Sequence, residues 1–342
     1  MMRKAFLAAT SAAMLGTLPM GAALAQDNPV DLRLGVWVGA THPLMEGAAE
    51  WIASINEASG GSITITVYPS QQLGAAADHY DLARDGIADI SFVNPGYNAG
   101  RFPIISYGEL PFRFNEAAAG SRALDQWYRD YAETEMSDVQ FCMAFMHSPG
   151  TIHTTRPVTT PADLSGLSVR PANGTLGQYL SGLGATTIQA SAAEMRDLLS
   201  RGTADGTASP YSSLATWGIA DVATHHLDMP MYTANFVFVI SPVAWSRLSE
   251  AQQAVMNDHC STEWAGRIVE VWAEEDTVER AVLEEDAAHV FTAPNDAQRE
   301  EWLAAAEPMI ARWRELATAA GIDAEAAEAG IQAAIAEHDA GL

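Results

Sequence analysis

Gly166-Leu167-Ser168-Val169-Arg170-Pro171, followed further on by Leu198-Leu199-Ser200-Arg201-Gly202-Thr203-Ala204-Asp205-Gly206, decides how this chain is read. The first stretch is a short strand that ends on a cation and a proline. The second is a helix end, a glycine stop and a strand start. It has a counterpart at identical spacing in Leu82-x-x-x-Gly86-x-Ala88-Asp89. In each copy the glycine ends a helix by taking a positive φ, and Ala-Asp opens a strand. A proline and a tyrosine follow both times, Pro95 and Tyr97 in the first copy, Pro210 and Tyr211 in the second. The repeat predicts two similar lobes.

Working outward, each copy sits in the same context. Asp31 to Val38 alternates as a strand. Pro43 to Ser59 reads as a helix, with Leu44, Ala48, Trp51, Ile52 and Ile55 facing a core, and Ile63 to Tyr68 as a period-two strand. A helix through Tyr80–Arg84 and a strand from Asp89 to Val93 complete β-α-β-α-β order. The order returns in Leu167–Arg170, Leu176–Leu183, Thr186–Gln189, Ala192–Ser200 and Asp205–Ala208. Helices on mainly parallel sheets follow, an α/β class. Downstream the chain is helical. A helix starting at Ser249 is expected to run through Trp264, Ile268 and Trp272 towards Val282, long enough to lie along both lobes. Another starts at Asn295-Asp296 with Trp302, Met309, Ile310 and Trp313 as its buried stripe, and Glu325–His338 is an alanine-rich tail helix.

Composition narrows the function. Arg3-Lys4, a small apolar run to Leu24 and Ala23-Leu24-Ala25 form an export signal, residues 1–25, with cleavage expected after Ala25. The apolar run, broken by Pro19 and Gly21, is too short for a membrane span. The destination is the periplasm. A formal charge of −25 repels nucleic acid and anionic headgroups, but does not exclude an anionic ligand in a locally cationic pocket. Cys142 and Cys260 are the only cysteines. Without CxxC spacing they argue against zinc or redox catalysis, and both a disulfide and two free thiols stay open.

Ligands in open α/β sheets bind beyond the carboxyl ends of strands. Strand polarity alone therefore selects Trp37, Asn94 to Tyr97, Arg170 to Asn173 and Ser209 to Tyr211. These supply one cation, several amide or hydroxyl groups and several rings. A guanidinium at a strand edge can take a carboxylate bidentately, which lysine cannot; an ion pair with Asp163 or Glu194 is the alternative. His147 and His153 flank Ser148-Pro149-Gly150, a candidate crossing between lobes, and one of them could line the cleft. His225-His226 are adjacent and point apart. No GxSxG, HExxH, P-loop or GxGxxG is present, and no carboxylate pair stands out.

At this point the residues resemble a known family. Tyr68-Pro69-Ser70-Gln71-Gln72-Leu73-Gly74, Gly86-x-Ala88-Asp89, Glu109-Leu110-Pro111-Phe112 and Arg156-Pro157-Val158 come in this order. Asp163-Leu164-x-Gly166-Leu167-x-Val169-Arg170 and Gly202-x-Ala204-Asp205-Gly206 follow. Together they are similar to the periplasmic solute receptors of tripartite ATP-independent periplasmic (TRAP) transporters, of the DctP type. The resemblance implies a two-lobed venus-flytrap fold with a long helix spanning both lobes. Lobe I would comprise 27–147 plus 236–275, and lobe II 148–235 plus 276–342. It implies a non-enzymatic receptor for a small organic acid that delivers to a small and a large integral membrane subunit; most relatives are monomers and a few dimers, no cofactor is called for, and although some relatives hold a metal ion beside the ligand, no residue here demands one. Arg170 would clamp the ligand carboxylate. Asn173, Trp37, Asn94, Tyr97 and Ser209 fall on pocket positions, and Tyr97, Tyr211 and Phe236 would suit an aromatic or zwitterionic body. A second arginine that some members hold has no counterpart near Gly150. The other readings are a secreted α/β enzyme acting on a small carboxylate, and a binding protein serving an ATP-driven transporter or a sensor.

Overall fold

The computed structural model describes residues 28–342, so the expected export signal and its cleavage site lie outside the described residues. Its strands are β1 (Val30–Gly35), β2 (Ile63–Tyr68), β3 (Ile90–Val93), β4 (Gln140–Met146), β5 (Thr151–Thr154), β6 (Ser168–Arg170), β7 (Thr186–Thr187), β8 (Gly206–Ser209), β9 (His225–Leu227), β10 (Asn235–Ile240) and β11 (Val290–Thr292). They form a five-stranded sheet in the order β2-β1-β3-β10-β4 and a six-stranded sheet in the order β11-β9-β5-β8-β6-β7. The repeat in the sequence builds the same corner in both. Gly86 and Gly202 take φ of 73° and 65°. The next two N–H groups fold back on the Leu82 carbonyl in one lobe and the Leu198 carbonyl in the other. The aspartate then turns onto the neighbouring strand: Asp89 accepts from the Arg33 N–H and Asp205 from the Ser168 N–H, both at 2.8 Å. An L side chain at either glycine would be strained, because the left-handed region carries a Cβ clash.

The parallel strands β1, β2 and β3, and β6, β7 and β8, lie side by side as the β-α-β order requires. The exchange of strands between lobes is the part that repeats alone do not reveal. β10 returns from the second sheet and inserts antiparallel between β3 and β4. The outgoing chain after β4 and the incoming chain before β10 touch where they cross. Gly150 N–H donates to the Tyr232 carbonyl at 2.8 Å, and Met231 N–H to the Gly150 carbonyl at 2.9 Å.

Two expectations about the helices are corrected. The helix expected from Ser249 to Val282 is three helices, Glu250–His259, Thr262–Arg267 and Glu270–Glu285. The Ser261 hydroxyl accepts from the Trp264 N–H, the N-cap of a fresh helix. At Ile268 a turn brings the backbone against helix Leu44–Ala58, where a Cβ on Gly47 would lie 2.1 Å from the Ile268 oxygen. The helix that runs along both lobes with anchors in each is Asp296–Ala319, 24 residues or about 36 Å long. Trp302 Nε1 donates to the Thr159 carbonyl and Tyr179 OH to the Trp302 carbonyl in the second lobe. Trp313 Nε1 donates to the Ile104 carbonyl in the first. Helix Ala324–Glu337 then packs on helix Ala117–Glu135, with Trp127 Nε1 donating to the Ala327 carbonyl. The end of the 276–342 segment expected with lobe II therefore lies against the first lobe. Its apolar residues Ala327 and Ile331 complete that lobe's core, which is why it folds there.

Cys142 and Cys260 are joined in a disulfide across 118 residues. Cys142 is in β4 and Cys260 follows helix Glu250–His259, so both ends belong to the first sheet and its helices. Closing so long a loop removes chain entropy from the unfolded state. Cys142→Ser or Cys260→Ser should cost about 2–5 kcal/mol, read as a lower urea midpoint that reductant lowers in the wild type but not in the variants.

Glu109 supplies a second test. It is 2% exposed, and its Oε2 accepts from the Thr175 hydroxyl at 2.9 Å across the lobe boundary. Burial pushes its carboxyl up to about 8. An acid held above its unfolded value of about 4.5 stabilises fully below that pH and loses the contribution as pH rises towards 8. Glu109→Gln, which mimics the protonated form, should unfold with less loss of stability between pH 5 and 8 than the wild type in paired denaturant titrations.

Candidate functional site

The carboxyl ends of the parallel strands face each other across the lobe boundary, and a cavity lies between them. From the first lobe it is lined by Trp37 after β1, His42, Asn94 and Tyr97 after β3, His147 after β4, Phe236 in β10 and Trp272. From the second come Arg170 at the end of β6, Met195, Ser209 at the end of β8, Pro210 and Trp217, with Tyr232 from the returning crossing. Strand alternation and strand polarity do most of this placement, because the last residue of each strand projects at the edge.

Aromatic contacts close the first-lobe wall. Trp37 stacks on Phe92 at 5.1 Å between ring centroids, with Tyr97 at 5.5 Å and Phe236 at 6.3 Å. Phe236 in turn meets Trp272 at 5.5 Å. Asn94 is nearly buried, and its Oδ1 accepts from the Gly96 N–H, which holds the turn that presents Tyr97. The Tyr97 hydroxyl accepts from the Ala192 N–H at 3.0 Å, a direct bond between lobes.

Arg170 dominates the electrostatics. It is only 3% exposed. Its Nε donates to the Ala190 carbonyl at 3.0 Å and one terminal nitrogen to the Ala208 carbonyl at 3.2 Å. No carboxylate pairs with it among the described residues. The two acids weighed as partners are engaged locally. Asp163 accepts from the Thr159 and Thr160 N–H groups, and Glu194 from the Ser191 N–H and hydroxyl. The cavity histidines do not add charge. Burial pushes His42 down to about 3 and His147 to about 4, so both are neutral above pH 5. Three buried polar atoms of residues that line the cavity, Trp37 Nε1, Ser209 Oγ and Tyr232 OH, have no hydrogen-bond partner among the described residues. Each such atom costs about 1–3 kcal/mol, and a buried charge without a counter-ion costs more. A cation and three potential donors converge on one small space that contains no anion among its lining residues.

Strand polarity thus located Trp37, Asn94, Tyr97, Arg170 and Ser209 in one cavity, and Phe236 and His147 join them. Two expected residues do not. Asn173 caps helix Gly174–Gly182: its Oδ1 accepts from the Leu176 N–H at 2.7 Å and its amide donates to the Thr233 carbonyl, which turns the side chain to the helix start and the returning crossing rather than into the cavity lining. Tyr211 faces away, because β8 ends at Ser209 and the strand alternation stops at Pro210. Its ring packs on His153 at 5.1 Å and beneath the Arg280 guanidinium. Of the two histidines flanking the crossing, His153 lies outside the cavity. Its Nε2 is 3.0 Å from the Ser209 carbonyl, its Nδ1 2.8 Å from His226 Nδ1, and His226 Nε2 is 2.9 Å from His289 Nδ1. A carbonyl only accepts, so the proton order along this chain is fixed from its Ser209 end.

His42, Tyr232 and Trp272 line the cavity without having been expected there. Trp272 looked like helix core by its spacing, and it is both core and wall. Tyr232 carried a usable signal, since the chain must return to insert β10 and that return has to pass the cleft.

Residues 34–316 match the family described as bacterial extracellular solute-binding protein, family 7 (DctP). A TRAP periplasmic solute-binding protein of Bordetella bronchiseptica, solved with bound (R)- and (S)-mandelate, is 30% identical. It superposes with a TM-score of 0.86 over 90% of this chain and 99% of its own. A TRAP solute-binding protein of Rhodoferax ferrireducens T118 with copurified benzoate is 28% identical, with a TM-score of 0.85 over 91% of this chain and 98% of its own. The 2,3-diketo-L-gulonate-binding periplasmic protein YiaO of Escherichia coli is 25% identical over 236 residues, 66% of this chain and 70% of that protein.

An unpaired buried cation makes a sharp prediction for the ligand-free protein. Arg170→Met should be at least as stable as the wild type, gaining up to about 4 kcal/mol in urea unfolding after exhaustive dialysis. A loss of more than about 2 kcal/mol would instead mark the guanidinium as a structural support.

Proposed function

The chain belongs to the DctP family of bacterial extracellular solute-binding proteins, the receptors of TRAP transporters, and on that footing we propose that it captures a small monocarboxylic acid with a ring-sized apolar body. The observation that carries the reading is the buried Arg170 guanidinium, tied to the Ala190 and Ala208 carbonyls and one methionine sulfur, with the Tyr97 hydroxyl beside it and no carboxylate paired with it among the described residues. A ligand carboxylate supplies the missing charge and accepts in the planar geometry a guanidinium offers. Ser209 Oγ, Tyr232 OH and Trp37 Nε1 are candidates for its remaining lone pairs, and Asn94, Tyr97 and His147 line the same space. Trp37, Phe236, Tyr232 and Trp272 suit the flat body of an aromatic acid such as the mandelate and benzoate held by the two solved relatives. A single cation gives no site for a second carboxylate.

Capture works by lobe closure in this proposal. The ligand contacts Arg170 on one lobe and the aromatic wall on the other, so it binds the closed form better and shifts the population towards it. Its contribution is differential affinity for one of two states. The ligand leaves unchanged, and the cavity lining offers no activated nucleophile or acid–base pair for turnover. The protein is read as a periplasmic monomer exported by residues 1–25, with cleavage after Ala25. It would hand its ligand to a small and a large membrane subunit driven by an ion gradient.

Isothermal calorimetry against mandelate and benzoate tests the reading. Arg170→Ala should weaken binding by about 2–5 kcal/mol, since it strands the ligand carboxylate in a closed cavity. Arg170→Lys should also lose most of the affinity, because a point charge cannot hold both carbonyls and a two-oxygen anion. Near-native affinity in the alanine variant would refute the assignment.

A further inference from the structure

Two histidines in the cavity wall present opposite polarity. The Leu44 N–H donates to His42 Nδ1 at 3.2 Å, so that nitrogen holds a lone pair and the His42 proton sits on Nε2. His147 is the reverse. Its Nδ1 lies 2.6 Å from the Ser148 carbonyl oxygen, which can only accept, so Nδ1 carries the proton and Nε2 holds the lone pair. Neither Nε2 has a hydrogen-bond partner among the described residues. Both rings line the Arg170 cavity and both lie against Trp272, at 4.8 Å for His42 and 5.8 Å for His147. Burial in this apolar wall keeps them uncharged, as described above.

We propose that His42 and His147 read a hydroxyl group on the ligand: the hydroxyl donates to His147 Nε2 and its oxygen accepts from His42 Nε2–H, so that this protein selects hydroxy acids over their unsubstituted counterparts. The proposal rests on the carboxylate reading of the same cavity and adds the second polar group the ligand must carry. A hydroxyl is one donor with two acceptor lone pairs, the complement of one lone pair and one N–H. An ammonium has no lone pair for His42, and a second carboxylate has no proton for His147. An acid with a bare ring or chain there leaves both imidazole atoms buried and unpaired, and a site built around a hydroxyl discriminates strongly against ligands lacking it.

The test uses matched pairs that differ by one hydroxyl, mandelate against phenylacetate and 3-hydroxybenzoate against benzoate, titrated calorimetrically into the mature protein. In the wild type at least one hydroxylated member should bind about tenfold or more tighter than its partner. In His42→Phe and His147→Phe that gap should shrink to about twofold. Equal affinities within both wild-type pairs, or a gap that survives both substitutions, overturns the histidine proposal while leaving the Arg170 reading intact. If none of the four acids binds, or if binding is indifferent to Arg170→Ala, the carboxylate reading fails and takes this one with it. Nitrogen-15 NMR of the histidine rings at pH 7 checks the premise without any substitution. The expected result is a proton on Nδ1 of His147 and on Nε2 of His42; the opposite tautomer at either ring overturns the proposal.

Discussion

A positive charge buried without a negative one is the constraint around which this molecule is arranged. Arg170 is held by backbone carbonyls, which orient the guanidinium but do not cancel its charge. The chain has 43 acidic residues and a formal charge of −25, so the lack of a partner is not for want of carboxylates. The acids offered by the sequence and the buried acid at the lobe boundary are otherwise engaged. Asp163 and Glu194 are committed to N–H groups at the starts of short helices, and Glu109 is neutralised by burial.

The frame that holds the seam between lobes is simple in its parts. Two copies of one helix–glycine–strand corner set two parallel sheets so that their carboxyl edges oppose. The paired crossing at Gly150 and Tyr232 keeps the edges in register, and the rod from Asp296 to Ala319, pinned at Trp302 and Trp313, ties the lobes from outside. Tyr232 belongs to the crossing and to the cavity at once. The geometry of the connection between lobes and the geometry of the site are therefore not separable.

Much of this was legible in residue order. The repeat announced two lobes, and strand polarity picked Trp37, Asn94, Tyr97, Arg170 and Ser209, because the direction of a parallel strand is local information. The errors have a common cause as well. Asn173 and Tyr211 follow strands by only a few residues, but whether a side chain one turn further on faces inward depends on where the strand stops. Pro210 and the cap of helix Gly174–Gly182 decided that. His42 follows Trp37 in the same loop after β1, while Tyr232 and Trp272 reach the cavity from segments remote in sequence, which only the packing of the lobes brings together. The tail helix was placed on the wrong lobe for the same reason: an alanine-rich stripe fits many surfaces, and the sequence does not say that Trp127 waits on helix Ala117–Glu135.

The disulfide has a consequence for how the chain withstands proteolysis. Both sulfurs belong to the first lobe, while the 118-residue interval between them contains most of the second. The molecule is therefore a covalent ring with two tails. A protease that cuts one peptide bond in the loops of that interval opens the ring but releases no fragment, and the severed ends stay tethered beside their native partners. A single cut within that interval sets the pieces adrift only when a reductant opens the disulfide as well.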